Sequence, residues 1–340
     1  MINLPEGIKN YVLENFTESP SILVGCKTEK WYWPVCGYDI IVFTNNVKSY
    51  LLKTMSQDII NIYCHSLEEL DNRKNYELKA ILSNSVVIND PNLSLAARKE
   101  ELSKRKGEIF SETFEEHILK LLKNLTYSEE AYNLGAYASS AFWILILGYD
   151  IAVALNLLSK IQTSPSHLMQ QVRENPVFKE TNYFVNVASF LGLEYATTIS
   201  PKRVFSILDT FKKIVDFYKF EDLPPTEFSS TKIPLSNIRM EELARKCDYA
   251  NAQSMPLNAH IISTKWYTDL TIELYQTVCS MENTPQFKPK IIEELEKRRN
   301  IVGASVNITN PILLEINPTA LRKNIEEAKR ILYWLKRTKV

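Results

Sequence analysis

Two acidic residues near the start of the chain, Asp39 and Asp58, have the residue type and the surroundings of metal ligands. Asp39 opens the apolar run Ile-Ile-Val-Phe, and Asp58 opens the run Ile-Ile-Asn-Ile. Proteins usually hold Mg²⁺ with one or two carboxylates together with the phosphates of a substrate. If the two runs are strands of one sheet, both carboxylates can project from the same end of it. The sequence therefore predicts a catalytic magnesium site at Asp39 and Asp58.

Three short apolar runs must position these residues, and their pattern predicts buried strands. The first run, residues 21–24, ends at Gly25-Cys26, which would close the strand and turn the chain. Short runs rich in Ile and Val that are bounded by Gly, Pro or Asn are typical of buried strands. Residues 47–55, between the second and third strands, are amphipathic and predict a short helix.

Two further elements are predicted to complete this N-terminal unit. Ser66 and Glu69 have the spacing of a capping box, which predicts a helix that starts there and runs toward Ile81. The apolar run at 86–88 predicts a short strand, because the turn-forming sequence Asn-Asp-Pro follows it directly.

The loop at 27–37 is unusually aromatic, and two interpretations of it remain open. It carries Trp31, Tyr32 and Trp33 among the basic residues Lys27 and Lys30. The rings could form a platform that stacks on a base or ribose, with the lysines near phosphates. They could equally pack onto the second domain, because aromatic side chains dominate contacts of that kind.

The remainder of the chain is predicted to be helical. A charged stretch at 93–107 suggests a domain boundary near residue 105, which gives an N-terminal α/β domain (1–105) and a helical bundle (106–340). Its basic cluster could meet phosphates, but a solvated helix face explains it as well. Residues 132–158 are the most apolar stretch and predict the buried centre of the bundle rather than a membrane span. The predicted fold class is α+β, with a small mixed sheet followed by a large all-helical domain.

Composition excludes several function classes. The chain has 40 basic and 40 acidic residues, so no net charge steers it toward nucleic acid. Its 8 glycines form neither the dinucleotide-binding nor the P-loop motif. Five cysteines without a Cys-x-x-Cys pair, and no signal peptide, predict a reducing, cytoplasmic location. The four histidines are scattered, so the sequence shows no zinc-ligand spacing, and each histidine is predicted to be a surface residue or a satisfied one.

The N-terminal unit resembles the nucleotidyltransferase superfamily, the DNA polymerase β-like fold. Gly25-Cys26 stands where that family has Gly-Ser, and residues 38–42 (Tyr-Asp-Ile-Ile-Val) resemble its Ser-Asp-Ile-Asp-Leu strand. Asp58-Ile-Ile resembles the strand of the third carboxylate, and residues 80–90 resemble the helix and short strand that close the domain. The resemblance is confined to this N-terminal unit.

The resemblance implies Mg²⁺-dependent transfer of a nucleotidyl group from a nucleoside triphosphate. Asp39 and Asp58 would hold the metal. Gly25 and the backbone of Cys26 would approach the triphosphate, since glycine has no Cβ to obstruct it, and Lys27 would neutralise a phosphate charge. The helical domain would close over the base and present the acceptor, which in this family ranges from RNA ends to proteins and small molecules.

Two departures from the family pattern leave the activity open. Ile41 replaces the second metal carboxylate, and Cys26 replaces the serine that contacts phosphate. The chain is therefore either an active nucleotidyltransferase or an impaired relative, and the alternative is a non-catalytic nucleotide-, RNA- or protein-binding module. A third interpretation makes both carboxylates ordinary strand-end residues of an unrelated α/β domain.

Overall fold

A mixed sheet followed by a helical bundle makes up the protein, which confirms the predicted α+β class. The structure is a computed structural model, and it describes residues 4–45, 51–71, 75–218, 235–309 and 316–338. Arg105 separates one helix that ends at Lys104 from the next, which begins at Lys106. The domain boundary near residue 105 stays a prediction.

The sheet has five strands in the order β3-β4-β2-β1-β5. β2 and β4 are parallel, and the other neighbours are antiparallel. The four strands predicted from apolar runs are all present. The strands are β1 (Ser21–Val24), β2 (Tyr38–Phe43), β3 (Leu51–Met55), β4 (Asp58–His65) and β5 (Val86–Asn89).

The helices of the described chain cover both faces of the sheet and build the bundle. In chain order they are α1 (Glu6–Asn15), α2 (Glu68–Asp71), α3 (Tyr76–Ser83), α4 (Ser94–Lys104), α5 (Lys106–Asn133), α6 (Tyr137–Leu158), α7 (Leu168–Glu174), α8 (Pro176–Glu180), α9 (Tyr183–Phe190), α10 (Ser200–Phe205), α11 (Leu208–Phe217), α12 (Asn237–Ala252), α13 (Pro256–Met281), α14 (Ile291–Ile301) and α15 (Pro318–Arg337).

Residues 51–55 form strand β3, so the predicted helix at 47–55 is wrong for this part. β3 pairs antiparallel with β4, with Leu51 opposite Ile62 and Met55 opposite Asp58. Ser56 makes the turn between the strands with a φ of 55°. Pairing with a buried strand satisfies the backbone groups of this segment, and that tertiary contact outweighs its local helical pattern. Residues 46–50 lie outside the described residues.

The predicted capping box is present. The backbone N–H of Ser66 donates to Glu69 Oε1 at 2.9 Å, and the N–H of Glu68 donates to Ser66 Oγ at 3.1 Å. Helix α2, which follows it, ends at Asp71, and α3 begins at Tyr76 after a side-chain cap from Asn75.

Alternating side chains give the sheet two buried faces. On one face Leu23, Ile40 and Ile62 pack against Ile8 and Val12 of α1. On the other face Ile22, Val24, Ile41 and Phe43 pack against α3, α4 and the first turn of α5. Because side chains alternate along a strand, Asp39 shares the second face with Ile41. This face also meets the bundle, and that contact positions the candidate site.

Helix α6 is the centre of the bundle, as the sequence predicted. Phe142, Trp143 and Ile144 are buried at successive positions, so the helix is apolar on every side. It packs against α5, α9 and α15. Its length and composition would suffice to cross a membrane, but 83% of its most apolar window is buried inside the fold. That pattern is typical of the core helix of a soluble protein.

The aromatic loop packs onto the bundle, which confirms the second of its two interpretations. Trp33 is 4% exposed, and its ring lies edge-on to His167 with the centroids 4.9 Å apart. It also contacts Tyr249 of α12 at 5.4 Å. The indole N–H of Trp31 donates to Glu174 of α7 at 2.6 Å. Trp33 and Cys36 of this loop therefore belong to the core of the helical region, although the loop connects two strands and its Tyr32 is exposed.

Candidate functional site

A cleft of about 590 Å³ lies between the sheet and the bundle. Its size is within the range of roughly 300–1,000 Å³ that is usual for small-molecule sites. The sheet contributes Gly25, Cys26, Asp39 and Tyr63. The bundle contributes the loop after α6 (residues 163–166) and side chains of α12 and α13, which are Arg239, Leu243, Lys246, Ile262, Lys265, Trp266, Asp269, Leu270 and Glu273.

Asp39 and Gly25 meet at the sheet side of the cleft. Val24 pairs with Asp39 across β1 and β2, so the corner that follows β1 lies beside the carboxylate. A Cβ built on Gly25 would be 2.5 Å from Asp39 Oδ2, and the φ of Gly25 is +71°. Only glycine fits there without strain. The structure thus brings together two of the residues that the sequence singled out.

Asn61 is the partner of Asp39. It lies opposite Asp39 in the parallel pairing of β2 and β4, and its Nδ2 donates to Asp39 Oδ1 at 2.8 Å. Burial raises the pKa of Asp39 to about 6, and the nearby Lys246 ammonium opposes that rise. A neutral amide therefore stands in β4 beside the carboxylate, at the register position where a second acid would make a metal pair.

Asp58 lies on the opposite face of the sheet, which corrects the predicted pairing with Asp39. It is three residues before Asn61 on β4, and an odd separation places side chains on opposite faces. Its charge acts on Tyr38, which packs on the α1 face. Asp58 opens β4 as predicted, whereas β2 begins one residue before Asp39, at Tyr38. The two carboxylates are separated because successive side chains of a strand point to opposite faces of the sheet. Strand boundaries alone do not determine which face each carboxylate is on.

The other predicted site residues have separate environments. Ile41 is 4% exposed and packs in the core beneath the cleft. The Lys27 ammonium donates to the carbonyl of Pro34 at 3.3 Å and lies 4.8 Å from the centre of the Tyr38 ring. Lys27 is thus not brought to the cleft in the described structure. Cys26 does line the cleft, as part of a 3₁₀ turn at Gly25–Thr28.

A buried ion-pair network on α12 forms one wall, and the sequence analysis missed it. Glu242 is 1% exposed and accepts a hydrogen bond from Lys246 Nζ at 2.6 Å. Arg239 contacts the same carboxylate. Burial disfavours the charge, yet Lys246 and Arg239 together lower the pKa of Glu242 to about 2. The spacing of 239, 242 and 246 on one helix face was the available signal, but only the tertiary fold reveals that this face is buried.

Two carboxylates of α13, Asp269 and Glu273, also line the cleft. Asp269 forms an ion pair with Lys265 one turn earlier. Burial raises the pKa of Glu273 to about 7, and the charge of Asp269 raises it further. Glu273 Oε2 is buried and has no hydrogen-bond partner among the described residues. The cleft therefore contains three carboxylates, of which one comes from the sheet and two come from the bundle.

Cys26, Cys36 and His167 form a buried cluster at the base of the cleft. Their ligand-type atoms all lie within 4.8 Å of one another. Cys36 Sγ is 3.7 Å from His167 Nε2, and Cys26 Sγ is 3.5 Å from Ser164 Oγ. A hydrogen bond from Cys36 lowers the pKa of Cys26 despite its burial, whereas the pKa of Cys36 is raised. The sequence analysis missed this cluster, because His167 is distant in sequence and only the fold brings it to the thiols.

No protein-family model and no curated protein matches the chain. The resemblance to nucleotidyltransferases therefore stays a prediction that rests on the residues quoted above. The geometry of the cleft must carry any functional argument by itself.

Proposed function

We propose that this chain is a nucleotidyltransferase-like protein that binds a nucleoside triphosphate in the cleft and is impaired in nucleotidyl transfer. One observation carries the proposal. Among the described residues, Asp39 is the single carboxylate that the sheet contributes to the cleft, and it faces the Gly25 corner. Ile41 is in the core and Asn61 is an amide, so the sheet supplies one acid where transfer in this family would use more.

The remaining walls suit a phosphorylated ligand with an aromatic base. Arg239 and Lys265 bring cationic side chains to the cleft, and Tyr63 and Trp266 bring rings. Cations bind phosphate oxygens, and base–aromatic stacking contributes roughly 1–3 kcal/mol for each base. The corner at Gly25 lets the backbone approach a phosphate because no side chain intervenes.

The residues fit one magnesium ion that is held mainly by the ligand. Asp39 offers Oδ2 toward Gly25, while its Oδ1 already accepts the hydrogen bond from Asn61. Mg²⁺ with a single protein carboxylate and several phosphate oxygens is a usual arrangement for nucleotide sites. When bound, the ion would neutralise phosphate charge and orient the triphosphate. In the part of the chain that the structure describes, the sheet brings no second acid to the cleft for the two-ion arrangement.

Active transfer is the second candidate, and α13 provides the observation that favours it. Asp269 and Glu273 line the same cleft, and Glu273 Oε2 has no partner among the described residues. These carboxylates could replace the missing acids if the cleft closed around a ligand. The acceptor of the nucleotidyl group would then be an RNA end, a protein or a small molecule. In either case we propose a cytoplasmic location for the protein.

Titration calorimetry with Mg²⁺-ATP, Mg²⁺-CTP and Mg²⁺-GTP tests the proposal. We expect at least one to bind, with an affinity that falls about tenfold or more in Asp39→Asn, because the metal loses its protein carboxylate. Asp58→Asn is the matched control, since this strand-end aspartate lies on the other face of the sheet. Failure of all three nucleotides to bind, or equal losses in both variants, would contradict the proposal.

Incubation with labelled triphosphates and mixed RNA or protein acceptors then separates the two candidates. We expect no incorporation above that of Asp39→Asn. Incorporation that disappears in Asp39→Asn and in Glu273→Gln would establish the active enzyme instead.

A further inference from the structure

The buried cluster of Cys26, Cys36 and His167 has ligand-type atoms close enough together to surround one metal ion. Tetrahedral zinc has bonds of about 2.3 Å to sulfur and 2.0–2.1 Å to nitrogen, which places a sulfur and a nitrogen ligand roughly 3.6 Å apart. The observed Cys36 Sγ to His167 Nε2 distance is 3.7 Å. The remaining ligand pairs lie within 4.8 Å, so small side-chain movements would complete the geometry.

The polar atoms of this cluster are poorly satisfied by the protein alone. His167 is fully buried, and its Nδ1 has no hydrogen-bond partner in the described part of the chain. The other ring nitrogen, Nε2, contacts the Cys36 thiol at 3.7 Å, and thiols are weak hydrogen-bonding groups, so a metal at Nε2 would replace a weak interaction and leave Nδ1 as it is. With the proton on Nδ1, the Nε2 lone pair faces the sulfur atoms. The edge-on contact with Trp33 fixes the ring in that direction.

The charge and the chemical type of the three donor atoms, two sulfurs and one nitrogen, indicate which cation the cluster would bind. Two thiolates and a neutral imidazole balance a divalent ion, and sulfur and nitrogen donors favour Zn²⁺ over Mg²⁺. Lys246 is the cation that acts on both thiols, but Glu242 already pairs with it at 2.6 Å. The environment therefore presents little net positive charge to repel a metal.

Three protein ligands leave a fourth position, and it faces the cleft. Cys26 and Ser164 both line the cleft, whereas Cys36 and His167 are covered. Water or a cleft ligand could reach the metal only from the Cys26 and Ser164 side. Sites with three protein ligands and one open position differ from closed structural sites in this respect.

We propose that Cys26, Cys36 and His167 bind one Zn²⁺ ion. The ion joins the loop between β1 and β2 to the 3₁₀ turn Pro165–His167 of the bundle. It would stabilise the folded state, since it binds the assembled site and not the unfolded chain. This site uses no nucleotide and none of the carboxylates assigned above.

Cobalt substitution of the metal-free full-length chain tests this proposal. We expect one Co²⁺ per chain, with thiolate-to-cobalt charge transfer and the intense visible bands of tetrahedral cobalt, and displacement of the cobalt by Zn²⁺. Affinity should fall more than about 100-fold in Cys36→Ser and in His167→Gln, beyond the loss expected from an outer-shell partner. Cys247→Ser is the matched control, because that thiol is also buried but lies outside the cluster.

A measurement on the unmodified chain guards against variants that fail to fold. Zn²⁺ should protect Cys26 and Cys36 from alkylation under mild denaturant and leave the alkylation of Cys64 unchanged. Absence of cobalt bands in the folded, reduced protein would overturn the proposal. Bands that survive Cys36→Ser, or a native Cys26–Cys36 disulfide that binds no metal after reduction, would overturn it as well.

Discussion

Gly25 is the residue on which the geometry of the cleft depends most directly. Its backbone has a positive φ, and its missing Cβ leaves room for the Asp39 carboxylate. An L-residue in the left-handed region costs roughly 1–2 kcal/mol. A side chain at this position must also displace a carboxylate that Asn61 holds in place.

Gly25→Ala should therefore destabilise the fold more than backbone strain alone predicts. We expect a loss of roughly 2–5 kcal/mol, the sum of the left-handed strain and an overpacking cost of about 1–3 kcal/mol. Gly135→Ala is the control, because Gly135 has a φ of +70° but no atom within 4 Å of its ideal Cβ. Urea unfolding measures both. Equal losses would mean that Asp39 moves freely away from the corner.

Glu273 should make stability depend on pH in a direction opposite to that of most carboxylates. Its folded pKa is about 7, above the unfolded value of about 4.3. Between those values the folded state binds more protons, so the free energy of unfolding falls as pH rises through this window. We expect Glu273→Gln to remove about 1–2 kcal/mol of that fall. Glu100→Gln, a change at an exposed residue, should leave the pH dependence of stability unchanged. Urea unfolding at a series of pH values from 4 to 8 measures it, and a wild-type slope that persists in Glu273→Gln would contradict the prediction.

At the scale of elements, α12 carries a charge network inside the fold, in which Glu242 pairs with both Lys246 and Arg239. Removing one member of a buried pair leaves an uncompensated charge and typically costs about 3–5 kcal/mol. We expect a loss of this size in Glu242→Gln, which leaves the buried Lys246 ammonium without its counter-ion. The double variant with Lys246→Met should lose less, because the orphaned charge is then absent. Lys104→Met is the control, since Lys104 and Glu100 form an i,i+4 pair that is 71% exposed on both sides. That exposed pair should be worth no more than about 1 kcal/mol. A double variant as unstable as Glu242→Gln would contradict this account.

The elements show which features local sequence can predict. The strands at Ser21–Val24, Tyr38–Phe43 and Asp58–His65 follow from short Ile-rich runs with polar ends. The strand Leu51–Met55 does not, because its partner β4 decides its conformation. The same limit applies to the site: Gly25 closes the first strand as predicted, while the face on which Asp58 lies depends on register. His167 reaches the thiols through the packing of the bundle, which no local pattern encodes.

At the scale of the whole molecule, the loop at 27–37 couples the sheet to the bundle. Trp33 is its buried anchor, and Trp31 and Lys30 add contacts to Glu174 at the surface. The sheet and the bundle should therefore unfold together in the native chain, although each has apolar clusters of its own.

Trp33→Ala should weaken that coupling. We expect a loss of about 3–5 kcal/mol, as for other buried aromatic residues, and separate transitions for the sheet and the bundle. Tyr32→Ala is the control, because Tyr32 is 52% exposed in the same loop and should cost about 0.5 kcal/mol or less. Hydrogen exchange along a urea series follows the two parts separately. A single transition at unchanged denaturant concentration would show that the loop does not couple them.

The buried position of α6 has a consequence for biosynthesis. Helix α15 covers one flank of α6, yet it is translated much later than α6. While the intervening segments are still being translated, the apolar surface of α6 that α15 covers in the folded protein has no partner helix. Until α15 has been translated, this surface must be buried in a collapsed intermediate of the nascent chain or bound by a chaperone.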